Sequence, residues 1–343
     1  MSLGGAAVVG AGVGLAVAAG FCALVAWAGP LDRPGARSSH THPTVTSAGL
    51  AVMAGTALAF LVFAALAPAP TLGLGRAALT LGFAGALGLL GTFDDLVDIG
   101  AKGKLIAQAI VGLLFAVLVA RVEELPIGGG IVLPLGAVVG TLGATLWLVV
   151  ATNATNFMDG ADGLASGSLA IVLTALAMAS FAEGEPGAAG LAAAGAAALI
   201  GFLPWNLPSK RLFQGDAGSL FSGFLAAALA IVAVGHVSLY FVPTALTPFL
   251  TDVLLTLAIR ARRGQSLFQA HRDHLYQVWL RATGGTHRAL TMRVWAVMAA
   301  YAIWALVSEA APEGLRPPMF ALGVVAAAML WRFARRKLEA RLT

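Results

Sequence analysis

The hydrophobic pattern divides the chain into apolar blocks of about 20 residues, each long enough for a helix to cross a hydrocarbon layer roughly 30 Å thick. The blocks fall at 5–28, 47–67, 72–92, 104–120, 131–151, 163–182, 187–205, 217–235, 238–259, 290–309 and 317–333. Charged residues make up only 11% of the 343, against roughly 25% in soluble domains. So few charges could not cover a water-soluble particle of this size. The pattern predicts an all-α fold: one polytopic membrane bundle over residues 1–343 with about eleven spans. Ten is the alternative, because the fourth block is short and only a tight turn near Gly235–His236 divides the eighth from the ninth.

The net charge of +5 does not point to nucleic acid, because no soluble domain exists to carry such a site. The single Cys22 excludes an intramolecular disulfide. No internal repeat is visible, which counts against the inverted-repeat transporter folds. Gly82, Gly85 and Gly88 are expected to serve close helix–helix approach.

No Lys or Arg precedes the first block, while Arg33 and Arg37 follow it. Assigning loops alternately to the two sides puts 18 of the 21 Lys and Arg on the side of the odd-numbered loops. Only Arg76, Arg121 and Arg316 fall on the other. This positive-inside bias predicts an external N-terminus, a cytoplasmic C-terminus and cytoplasmic odd-numbered loops.

Those loops, at 29–46, 93–104, 152–163, 206–219 and 260–289, carry the polar chemistry. Adjacent Asp94 and Asp95 repel each other near a low-dielectric boundary and need a cation or a proton. They suit Mg²⁺ handling or general-base work, with Lys104 nearby, or they simply start a helix. Asn156 and Asp162 flank a Gly-rich turn; they could offer oxygens to a metal, hydrogen-bond a base, or cap a helix. In Gly215-Asp216-Ala-Gly218-Ser219, a carboxylate at a helix N-terminus among glycines fits a Mg²⁺–pyrophosphate ligand, or a plain helix cap. His271 and His274 lie in the longest basic loop, which could also serve anionic headgroups. Asp252, inside a span, is expected to hold that loop by pairing with an arginine.

Four motifs, in order and all on predicted cytoplasmic loops, carry a resemblance. They are Asp94-Asp95 with Lys104-Leu105, Asn153-Ala-Thr-Asn156-Phe-Met-Asp159-Gly-Ala-Asp162-Gly163, Phe213-Gln-Gly215-Asp216-Ala-Gly218-Ser219, and Gly264-Gln-Ser-Leu-Phe268 leading to His271-Arg272-Asp-His274. From about Arg37 to Gly284 the chain resembles the polyprenyl-phosphate N-acetylhexosamine-1-phosphate transferases of glycosyltransferase family 4. The resemblance implies that undecaprenyl phosphate attacks the β-phosphorus of a UDP-N-acetyl amino sugar. The products would be polyprenyl-diphospho-sugar and UMP, with Mg²⁺ as cofactor and Mn²⁺ as a substitute. It implies Asn156 and Asp216 as metal–pyrophosphate ligands, and Phe213 and Asp162 against uracil. Lys104 and Arg272 would hold phosphates, with Asp159 also in the substrate set. Asp94, Asp95, His271 and His274 would form the catalytic set, with His40 on the acceptor side.

The implied location is the bacterial cytoplasmic membrane with the site facing the cytosol, among membrane lipids and with a second copy of the chain as a further partner. Two departures bear on this. Thr46 stands where relatives commonly have arginine, which raises a family member that has lost activity. The histidine triplet of the peptidoglycan-precursor branch is absent, which argues against a peptide-bearing donor and resembles an O-antigen-initiating subgroup using deoxy-amino sugars. The alternative from another class is a transporter or flippase with a cytoplasmic acidic gate.

Overall fold

The computed structural model describes residues 1–28, 31–32, 44–45, 48–68, 73–207, 212–269 and 271–342. The elements run α1 (Leu3–Ala28), β1 (Leu31–Asp32), β2 (Thr44–Val45), α2 (Gly49–Leu66), α3 (Leu74–Val97), α4 (Gly100–Leu118), β3 (Glu124–Gly128) and β4 (Ile131–Pro134). They continue with α5 (Gly136–Met158), α6 (Leu164–Ala182), α7 (Pro186–Asn206), α8 (Gly215–Val232), α9 (Phe241–Arg262), α10 (Leu275–Thr283), α11 (His287–Glu309) and α12 (Arg316–Glu339). Among the described residues, eleven helices are long and apolar enough to cross a membrane; α10 alone is too short. The chain is an all-α, multi-pass membrane protein.

α8 is the axis of the bundle, with 89% of its apolar window buried, whereas α12 at the periphery buries 17%. Between helices in lipid the hydrophobic effect is weak, so association depends on how closely backbones approach. Glycine sets that approach at α8. A Cβ on Gly49 would lie 2.1 Å from Gly218 N, and one on Gly91 would lie 2.3 Å from the Asp216 carbonyl oxygen. On the opposite flank, a Cβ on Gly223 would lie 2.8 Å from Thr155 Cβ. These contacts seat α2, α3 and α5 against α8.

Gly82 and Gly85 do not serve this purpose, because each faces open space. Of the three expected glycines only Gly88 is tightly packed, against the Met53 thioether and Phe221. A span that is apolar all round does not disclose from its sequence which stripe meets protein and which meets lipid.

Several boundaries also differ from the sequence reading. Helix α3 continues through Asp94 and Asp95, and α5 continues through Asn153 and Asn156, so these residues are helical rather than in loops. The start of the fifth apolar block is strand β4, paired antiparallel with β3 with Leu125 opposite Leu133. Its turn, Gly128-Gly129-Gly130, has φ of 97°, 61° and 78°, a left-handed run open to glycine at little cost. Strands β1 and β2 pair antiparallel, Leu31 opposite Val45.

The glycine contacts lead to a paired test. Gly91→Val should force α3 from α8 and lower the thermal midpoint in detergent, at a cost of ~1–3 kcal/mol for overpacking. Gly82→Val, into open space, should leave the midpoint near wild type. Equal midpoints for the two variants would remove the close approach at Gly91.

Candidate active site

The site forms where α3 and α5 end and α4 and α8 begin. The last turn of α3 is closed by Asp98, the only described non-glycine residue with positive φ (51°), whose N–H returns to the Asp94 carbonyl at 2.9 Å. Asp94 Oδ1 accepts from Ile99 N at 2.9 Å, which folds the chain straight into α4. One turn into α4, Lys104 Nζ stands 2.8 Å from Asp94 Oδ2 and also donates to Asp216 Oδ2. Asp216 Oδ1 accepts from Asn156 Nδ2 at 2.8 Å, and the same amide nitrogen lies 2.9 Å from Ser219 Oγ.

Asp95 has a different task. Its two oxygens accept from the amides of Asp216 (3.2 Å) and Ala217 (3.5 Å), in the first turn of α8. Of the readings open for Asp94 and Asp95, the helix start does not hold: they end a helix, where the dipole disfavours negative charge. Asp95 is stabilised there by the positive end of the neighbouring helix. Helix α8 has no side-chain cap of its own, so Asp216 is not a capping residue and its carboxylate is left for other work.

Beside this acidic centre lies an aromatic one. The His271 and His274 rings are 4.9 Å apart, and His274 stacks on Phe157 at 5.6 Å. Tyr276 donates to the Phe157 carbonyl at 3.1 Å. Its hydroxyl occupies the space a Cβ on Gly160 would need, 2.0 Å away. The loop bearing the histidines is held by Arg260, which donates to Asp273 and, at 2.8 Å, to the Ser266 carbonyl. Among the described residues Asp252 pairs with no arginine, contrary to expectation. Its carboxylate accepts from Leu275 N (2.7 Å) and Trp331 Nε1 (2.9 Å), capping α10 and tying it to α12.

Residues 77–234 match the family model "Glycosyl transferase family 4", a stretch that holds the whole acidic centre. The chain is 31% identical over 305 positions to the decaprenyl-phosphate N-acetylglucosaminephosphotransferase of Mycobacterium tuberculosis, covering 78% of this chain and 72% of that protein. It is 28% identical over 315 positions to the phospho-N-acetylmuramoyl-pentapeptide-transferase of Corynebacterium efficiens, covering 76% of this chain and 83% of that one. The chain belongs to glycosyl transferase family 4.

Within this family 4 site, Asp94, Asp95, Lys104, Asn156 and Asp216 come together, and His271 and His274 form the adjoining cluster. Asp159, the residue that ends α5, lies between the two. Asp162 is buried and turned to His287, with Asp162 Oδ2 3.2 Å from His287 Nδ1, and its carbonyl accepts from Thr291 Oγ1 at 2.7 Å. Phe213 is half-buried ahead of α8, its carbonyl accepting from Ala48 N. Arg272 is exposed, and its carbonyl accepts from the Arg281 guanidinium. His40 and Thr46 lie outside the described residues.

Sequence reasoning missed Phe157, Tyr276 and His287. Phe157 stands inside a quoted motif and Tyr276 two residues after one, aromatics close to polar residues, which was the available signal. His287 had none, because its partner is 125 residues away.

Burial, with the Asp216, Asp95 and Asp162 carboxylates added, pushes the Asp159 carboxyl well above the usual range. Burial also lowers both histidines, aided at His271 by His274 and Arg260, so that His271 falls to about 4. The aromatic centre therefore offers neutral imidazoles at pH 7.

Two outcomes follow from these contacts. Asp95→Asn should lower the thermal midpoint, because its new NH₂ would face an α8 amide donor; a midpoint equal to wild type would remove the capping role. At Asp159 the folded chain keeps a proton that the unfolded chain loses above about pH 4, so its contribution to stability falls as pH rises. Asp159→Asn should then raise the midpoint more at pH 8 than at pH 5, and an equal shift at both would contradict the raised carboxyl.

Proposed function

We propose that this family 4 enzyme transfers a sugar 1-phosphate from a UDP-N-acetylhexosamine to a polyprenyl phosphate, undecaprenyl phosphate in a bacterial host. The reaction would give polyprenyl-diphospho-sugar and UMP. The observation that carries this reading is the Lys104 ammonium between Asp94 and Asp216, at the end of a membrane bundle. A lipid acceptor and a polyanionic donor can meet only at such a boundary. The relatives, a decaprenyl-phosphate N-acetylglucosaminephosphotransferase and a phospho-N-acetylmuramoyl-pentapeptide-transferase, support the same class. The charge bias of the loops supports a site on the cytoplasmic side of the membrane.

The donor set fits Mg²⁺. Two carboxylates, Asp94 and Asp216, flank a single ammonium, and Asp95 lies against the α8 amides beside them, an excess of negative charge that calls for a divalent cation before a diphosphate can enter. Mg²⁺ keeps several waters and is usually held by one or two carboxylates plus substrate phosphates rather than by an all-protein cage. Asp216 would hold it, with the Asn156 amide oxygen, since the amide nitrogen is already committed to Asp216 and Ser219. When bound, the ion would neutralise the diphosphate and the departing UMP.

The chain's own residues do the rest. Lys104 offers its ammonium to a phosphate oxygen, and Asp94 keeps that side chain in place. The acceptor phosphate monoester is largely ionised at pH 7, with a second pKa near 6, so it needs no general base. One of its oxygens bonds to the β-phosphorus as the bond from that phosphorus to the bridging oxygen breaks and UMP leaves. The neutral histidines and Phe157 form the wall beside this point, and Asp95 fixes α8 against α3.

The missing histidine triplet argues against a peptide-bearing muramic donor, so the product is read as the first lipid-linked sugar of a cell-envelope polysaccharide. A panel of UDP-GlcNAc, UDP-QuiNAc and UDP-FucNAc with undecaprenyl phosphate in membranes tests this reading. One donor should be used, turnover should vanish with EDTA and return with Mg²⁺, and Asp216→Asn should lose roughly 10²–10³-fold. If no donor reacts, or if Asp216→Asn matches wild type, the transferase reading fails.

A further inference from the structure

A second cavity, of about 320 Å³, lies between α9, α10, α11 and α12. Its walls are apolar, with Phe249, Trp279, Tyr301 and Trp331 among them. Asp252 also lines it, but the carboxylate is satisfied by Leu275 N, Trp331 Nε1 and, at 3.3 Å, Thr256 Oγ1. The wall therefore offers no free anion to a polar guest.

The open side carries Val297, 45% exposed, and Leu330, 63% exposed. Val297 lies ten residues into α11 and Leu330 nine residues before the end of α12. At 1.5 Å per residue both sit about 14–15 Å from the site-side ends of their helices. The mouth thus opens sideways into hydrocarbon rather than outward into water.

Closer to the site-side end, about 9 Å along α11 by the same rise, the exposed Arg293 also lines the cavity. Its guanidinium lies 5.0 Å from the Trp279 ring, and Nη1 donates to the Ala289 carbonyl at 2.9 Å. Among the described residues no carboxylate stands within ion-pair distance of it. A guanidinium has five N–H donors in a fork that matches phosphate. One N–H is used on the Ala289 carbonyl, and the remaining donors face the headgroup level, where an anionic phosphate is the matching partner.

We infer that this cavity is a lipid site. It takes an acyl chain of an anionic glycerophospholipid from the site-side leaflet, and Arg293 takes the phosphate. Leaflets rich in anionic lipid supply that ligand at high local concentration. The occupant is distinct from the reacting acceptor, whose monophosphate belongs at Lys104 and Asp216 in the proposed reaction, and competition between the two lipids tests that distinction. Leu275 and Tyr276 of α10 line the same cavity, so the bound chain braces the helix that follows the histidine loop.

Lipid retention tests the site without requiring turnover, so it stands or falls separately from the transferase reading. The full chain, purified in non-ionic detergent, is mixed with phosphatidylglycerol, phosphatidylcholine or undecaprenyl phosphate and examined by native mass spectrometry after surface lipid is stripped. One phosphatidylglycerol per chain should remain, at least tenfold above phosphatidylcholine, and saturating undecaprenyl phosphate should not displace it. Arg293→Gln should lose that preference about tenfold, Arg293→Lys should restore most of it, and Ala334→Trp should close the cavity and remove the bound lipid. Equal retention of the two phospholipids, full retention in Arg293→Gln, or one-for-one displacement by undecaprenyl phosphate would each overturn the inference. The last result would make the cavity the groove for the acceptor's tail.

Discussion

A single ammonium holds this site in shape. Lys104 bridges Asp94 and Asp216, which come from helices that share no sequence neighbourhood. Without that bridge, carboxylates at the low-dielectric end of a bundle would repel each other. Breaking a buried ion pair by removing one partner is costly because the remaining charge stays behind. The rest of the arrangement serves the bridge. The left-handed Asp98 turns α3 into α4, bringing Lys104 back beneath the acidic pair, and Gly91 allows the α3 and α8 backbones to touch.

Helix ends do the positioning throughout. The end of α3 supplies acceptors, the start of α8 supplies amides, and Asp95 joins the two. At the end of α5, consecutive residues divide the labour. Asn156 reaches Asp216, and Phe157, about 100° further round the helix, stacks on His274. One turn of helix thereby places the acidic centre beside a neutral aromatic wall. The family 4 match covers the first of these, and the histidine loop lies beyond it.

The class of fold and the members of the acidic centre were legible in the sequence. Blocks of apolar residues fix crossing number with little ambiguity, and charged residues cannot hide in a chain that is 59% hydrophobic. The roles were less legible. A helix start stayed open for Asp94 and Asp95 because sequence shows acidic residues near a boundary but not which side of it they occupy. Asp252 was expected to meet an arginine, yet it takes backbone amides and an indole N–H. Those donors are set by packing, and no residue type announces them. Gly82 and Gly85 failed as packing positions for a related reason: lipid and protein are equally apolar neighbours.

The bond from Trp331 to Asp252 has a consequence for biogenesis. The histidine loop closes against α12, and Arg335 on the same helix donates to the Asp273 carbonyl within that loop. The acidic centre can assemble once α8 is inserted, but the aromatic wall must wait for the α11–α12 hairpin to leave the ribosome and dock. A nascent chain stalled before α12 would carry the acidic rim with one side unfinished, so that arrival of α12 gates the site.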